Sequence, residues 1–104
     1  MKALLLVLVV TTTASAETQT PNATRQQELR NLLKHDCGAC HGMTLKGGLG
    51  SSLLPQDLAN KPDALLIETI LNGRNGTAMP PWRQFITTEE ATWLVQLLKN
   101  PQSP

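Results

Sequence analysis

The stretch HDCGACHGM, residues 35–43, places two cysteines and two histidines together, and the 104-residue chain has no others. Thiols and imidazoles at this spacing can do several kinds of chemistry. A Cys-x-x-Cys pair serves dithiol redox exchange when it lies in a βαβ context, but strand signals in this chain are weak. A structural zinc ion needs four ligands around it. Cys37, Cys40, His41 and His35 lie too close in sequence to surround one ion, and there is no second ligand cluster. A Cys37–Cys40 disulfide would close a tiny loop and stabilise little. What remains is CGACH, the Cys-x-x-Cys-His pattern of covalent c-type haem attachment. Cys37 and Cys40 are about one helical turn apart, so both sulfurs can meet the two vinyl groups on one porphyrin edge. His41 follows directly, with its imidazole aimed at the iron.

A second axial ligand must come from further along the chain. Met43 is two residues from His41 and cannot cross to the opposite face, whereas Met79 lies 38 residues downstream of His41 in the loop GTAMPPW. A lone methionine is often core filler. This one sits in a Gly/Pro loop rather than on an apolar helical stripe, so ligation is the reading adopted. A thioether opposite histidine is the His/Met pair that raises a haem's potential. His35 shares the helical approach to Cys37 and is expected to point to solvent or to cap that helix. The expected haem-binding residues are therefore Cys37, Cys40, His41 and Met79, with His41 and Met79 on the iron.

Three helices are expected to position these groups. RQQELRNLLKHD carries Leu29, Leu32 and Leu33 at helical spacing, with Thr24 and Gln27 able to form a capping box. PDALLIETIL starts with Pro62 at the first helical position and is stopped by Asn72-Gly73. TTEEATWLVQLLKN opens on a Thr87–Glu90 capping box, stripes Ala91, Leu94, Val95 and Leu98 along one face, and ends before Pro101. KGGLGSSLLP and NGRNGTAMPPW read as loops.

Composition sets the bounds. Residues 1–16 combine a charged start, the apolar run ALLLVLVV and a small-residue end, and read as a secretory signal peptide cleaved after Ala16. Residues 3–10 give eight apolar positions, against roughly 20 needed to cross a bilayer; the alternative is an uncleaved N-terminal tether. Residues 17–23 read as a flexible lead-in, 24–100 as one domain and 101–104 as a tail. After cleavage, 88 residues remain, with eight basic and eight acidic side chains. No basic excess points to nucleic acid. With one Phe, two Trp and no Tyr, so small a domain needs a staple, and a large apolar cofactor would supply one.

Residues 24–100 resemble a small class I cytochrome c: an N-terminal helix entering CGACH, a glycine loop, a middle helix, a Met79-Pro80 loop and a C-terminal helix. The resemblance implies an all-α fold wrapped around one covalently attached haem, with the first and last helices crossing. Leu29 and Leu33 would then pack against Leu94, Leu97 and Leu98, with Trp93 beside them. It also implies that a backbone carbonyl after the haem motif accepts the histidine's Nδ1–H. The family often has Gly-Pro there; here Gly50 precedes Ser51, whose carbonyl can serve from a less rigid loop. Leu53 matches a pocket-wall position. CGACHGMTLKGGLGSSLLP followed by LNGRNGTAMPPW is more closely similar to the periplasmic cytochrome c-55X (NirC-type) family found with cytochrome cd-type nitrite reductase. That resemblance implies electron donation to the reductase or a part in haem d1 biogenesis.

Three functions compete on chemical grounds. A one-electron carrier needs a six-coordinate iron and no bound substrate. An enzyme or gas sensor needs an open iron position, hence a labile Met79. An assembly partner for haem d1 would use the same redox group in a biosynthetic step. The expectation is a periplasmic electron carrier rather than an enzyme, with redox proteins or assembly factors as partners. Arg25, Arg30, Lys34, Lys46 and Lys61 read as a solvated face, or as a weakly basic ring that speeds encounters with an acidic partner.

Overall fold

The structure is a computed structural model that describes residues 2–12 and 20–102; the expected cleavage site after Ala16 lies outside the described residues. No strand occurs among the described residues. No described helix is long and apolar enough to cross a membrane.

Helix α1 (Ala23–Leu32) starts on the last residue of the expected lead-in, one residue before the expected domain, and is capped by Asn22, whose side chain accepts the Arg25 N–H at 2.8 Å. The Thr24–Gln27 capping box does not form. Asn22 has the extended conformation of a cap and its short carbonyl arm accepts one of the first-turn N–H groups, which leaves Thr24 inside the helix. The chain continues through a π turn (Leu33–Cys37) into α2 (Gly38–His41), so one helical run delivers both thiols and the imidazole. A four-residue helix α3 (Pro55–Leu58) lies in the segment expected to be loop. Helix α4 (Asp63–Asn72) is capped by Pro62 rather than starting on it, and Gly73 ends it at φ 69°. Helix α5 (Thr88–Lys99) carries the expected box: the Thr87 hydroxyl accepts the Glu90 N–H at 3.1 Å, and the Glu90 carboxylate accepts the Thr87 N–H at 2.9 Å.

The core is where α1, α4 and α5 meet. Leu29, Leu71, Ile86, Ala91 and Leu94 form one buried cluster, and Leu33 and Trp93 flank it. Leu97 and Leu98 are buried too, and with Leu33 they line a separate groove outside this cluster. Phe85, the single phenylalanine, is not core; it is exposed and meets Trp82 edge-on at 5.7 Å.

Polar ties hold the helices in place. Arg25 on α1 pairs with Glu90 on α5 and donates to the Phe85 carbonyl at 2.9 Å. This bond to Arg25 holds the Glu90 carboxyl below the usual carboxylate range, against a smaller opposing effect of burial. Arg30 stacks over Trp93 at 5.4 Å. At the other end, Lys99 on α5 pairs with Asp63 on α4 at 2.6 Å, and Gln96 donates to the same carboxylate at 2.9 Å. Arg25 and Arg30 are therefore structural. Among the basic residues of the expected solvated face, Lys34, Lys46 and Lys61 make no ion pair among the described residues.

Candidate cofactor site

One apolar cavity of about 720 Å³ opens beside the α1–α2 run. Cys37, Cys40, His41 and Met79 all line it, and neither His35 nor Met43 does. His35 is exposed, as its place before Cys37 implies, and Met43 is 60 % exposed.

The helical run explains the first three residues. Leu32, Leu33, Cys37, Cys40 and His41 face the cavity together because they recur about one turn apart. Before haem attachment both thiols are half-buried, and no disulfide joins them. Burial, with the charge of Asp36 added, pushes the Cys37 thiol up to about 11.

The glycine loop fixes the imidazole. Gly50 N–H donates to the Cys40 carbonyl at 2.7 Å, and Gly47 N–H to the His41 carbonyl at 2.9 Å, so the loop folds back on the end of α2. His41 Nδ1–H then donates to the Ser51 carbonyl at 2.7 Å. This is the backbone contact expected of Ser51, made without the proline. Such an outer contact sets the ring's tautomer and leaves Nε2 free to ligate. Gly50 is needed for it: a Cβ there would lie 2.7 Å from His41 Cε1 and 2.8 Å from Nδ1.

A second loop brings Met79. Its carbonyl accepts the Arg74 N–H at 3.2 Å, and its N–H donates to the Thr77 hydroxyl at 3.3 Å. The same hydroxyl donates to the Arg74 carbonyl at 2.7 Å, closing the turn. Gly73 admits the loop against the end of α4: a Cβ there would lie 2.6 Å from the Met79 carbonyl oxygen, on a backbone with positive φ. Trp82 N–H donates to the Ile70 carbonyl at 3.0 Å and anchors the loop's exit.

The remaining wall is largely leucine and isoleucine, with Leu53 in the expected position and Leu58 buried at its back. Thr77, Leu58 and Trp82 were not among the residues singled out from sequence. Thr77 and Trp82 belong to the Met79 loop, where a hydroxyl two residues before an important side chain was the available cue.

These residues fit a haem. The cavity lies in the size range of pockets that enclose small molecules. Its donors are those that thioether attachment and axial ligation need: two thiols, an oriented imidazole and a thioether. Lys61 and Arg74 on the lining suit a group that also carries carboxylates.

The comparisons agree with this geometry. The family model described as "Cytochrome C oxidase, cbb3-type, subunit III" matches residues 24–98. The chain is 50 % identical over 78 residues to cytochrome c55X of Pseudomonas aeruginosa, covering 75 % of this chain and 66 %, just under two thirds, of that protein. It is 44 % identical over 101 residues to cytochrome c55X of Paracoccus denitrificans, covering 97 % and 95 % of the two chains. Among solved structures, "c-type cytochrome NirC" superposes with TM-score 0.77 at 47 % identity, over 81 % of this chain and all of that one. A dihydro-heme d1 dehydrogenase, NirN, superposes with TM-score 0.63 at 35 % identity, over 72 % of this chain but 16 % of that one. With these matches and the all-helical fold, the chain belongs to the class I c-type cytochromes of the cytochrome c55X (NirC) type, and it carries covalently bound haem c.

Proposed function

We propose that this chain is a periplasmic one-electron carrier that donates to a cytochrome cd-type nitrite reductase in denitrification. Cys37 and Cys40 form the two thioethers, and His41 and Met79 are the axial ligands. One observation supports this most: the four residues line a single cavity, and the imidazole is already oriented by the Ser51 carbonyl at 2.7 Å. When bound, the haem supplies a one-electron couple, and His/Met ligation raises its potential. The chain's own part is to hold the imidazole, to keep the Met79 loop against α4 and to exclude water with a leucine wall. Export rests on the leader reading, with cleavage after Ala16; the intact mass of the purified protein tests it directly.

The central experiment pairs two variants. Met79→Ala should lose the thioether-to-iron charge-transfer band of the oxidised protein, lower the reduction potential and admit external ligands, while haem stays attached. Met43→Ala should leave the band unchanged, because Met43 does not line the cavity. The ligand assignment fails if the band survives in Met79→Ala. Reduction of purified nitrite reductase by the wild-type protein tests the partner.

The likeness to a dihydro-heme d1 dehydrogenase favours one second reading, in which the same redox group serves haem d1 maturation. A strain lacking this chain separates the two. Nitrite reductase loaded with normal haem d1 but starved of electrons supports the carrier; accumulation of a d1 precursor supports the maturation role.

A further inference from the structure

A second depression, about 410 Å³, is lined by residues that directly follow His41: Met43, Thr44 and Leu45. Leu54 and Leu97 deepen it, Leu97 being buried. The charged side chains on its lining are Arg30 and Lys34, and no acidic residue lines it. Arg30 is held over the Trp93 ring, and Lys34 forms no ion pair among the described residues. Met43 stands at the opening, 60 % exposed. An apolar hollow with an exposed, adaptable thioether and cationic edges is the form of a protein-docking site.

Its position gives it a use. Leu33, Leu53 and Leu98 line both this groove and the cofactor cavity, so a single layer of side chains separates a molecule seated here from the cofactor.

We infer that this groove docks the redox protein with which the chain exchanges electrons, and that the partner presents an apolar side chain ringed by carboxylates. The inference rests on the carrier reading above. The occupant is a protein with an acidic face because the edge charges are all positive and the hollow takes an apolar knob. The step is a one-electron exchange: this chain is oxidised by one electron and the partner's acceptor is reduced by one, with no bond made or broken. Attraction across such an edge raises the association rate and fades with salt.

The test uses the haem-loaded protein labelled at its methionine methyls and titrated with purified cytochrome cd-type nitrite reductase of the same organism. Both proteins are reduced, so that binding is read without electron transfer. The Met43 methyl resonance should shift on binding. The double variant Lys34→Glu/Met43→Glu, exposed at both positions, should weaken association by about tenfold at low salt and by less at high salt, where the charge part of the loss is screened and the lost apolar contact of Met43 remains. An unchanged visible spectrum shows that it is folded and haem-loaded. Arg83→Glu, a charge reversal outside the groove, should leave both the Met43 shift and the affinity unchanged; equal weakening by this variant means that net charge acts, and the groove is overturned. Binding with the Met43 methyl unmoved also overturns the groove and leaves the carrier reading standing. A Met43 shift without electron transfer between oppositely poised proteins keeps the groove and sinks the carrier reading. No binding at all overturns both.

Discussion

Glycine 50 and serine 51 show how little side-chain chemistry the imidazole's orientation requires. The acceptor for His41 Nδ1–H is the Ser51 backbone carbonyl, so Ser51→Ala should leave the spectrum and stability within about 0.5 kcal/mol of wild type. Gly50→Ala should not be tolerated in this way. Its Cβ would fall 2.7 Å from the ring, and overpacking of this kind costs about 1–3 kcal/mol. The ring must move, so both the melting temperature and the haem spectrum should change in Gly50→Ala; an unaltered spectrum would show that the ring is held by something else. Much of this site could be read at the level of single residues. Cys37, Cys40, His41 and Met79, which the sequence singles out, line one cavity, and the Ser51 carbonyl accepts the His41 Nδ1–H. Thr77 could not be ranked, since its hydroxyl acts only through a turn whose shape depends on Gly73 and the end of α4.

At the scale of the element, α5 is the best specified. Thr87 and Glu90 cap it reciprocally, and its buried stripe is the one that the period of apolar residues indicates. Helix α1 was harder to delimit. Thr24-x-x-Gln27 imitates a capping box, but Asn22 offers a carbonyl arm two residues earlier and takes the role. The π turn Leu33–Cys37 and the four-residue α3 are too short to leave a periodic trace. Glu90 does two jobs, capping α5 and pairing with Arg25. Glu90→Gln separates them, because glutamine still caps. Its carboxyl sits below the ordinary range in the folded protein, so the ion pair's contribution is present above that range and is lost as pH falls through the lowered value. We expect Glu90→Gln to cost about 1 kcal/mol at neutral pH. Its melting temperature should approach that of wild type as the solution is acidified below the carboxylate range. A gap that persists at the lowest pH would assign the loss to the cap instead.

At the scale of the molecule, the buried cluster is small, and Phe85 and much of Met43 are left in solvent. The reading that so short a chain needs a cofactor to complete its interior agrees with a leucine-walled cavity of about 720 Å³. C37A/C40A should therefore lack covalent haem and also lose its cooperative thermal transition, because few apolar contacts remain to offset chain entropy. Native-like helix content with a sharp melt in that variant would show that the helices stand without the cofactor. Two ion pairs and one close approach link the elements in series: α1 to α5 through Arg25–Glu90, α5 to α4 through Lys99–Asp63, and α4 to the Met79 loop through the tight packing at Gly73. With the Met79 backbone lodged against the helix end, the sulfur can leave the cavity only by rotation of its own side chain or by release of the loop. Under the proposed ligation, the charge-transfer band becomes a gauge of the whole assembly. On heating it should fade at the same temperature as the helical circular dichroism, in one all-or-none transition. Gly73→Ala should separate the two signals, releasing the sulfur while the helices still hold.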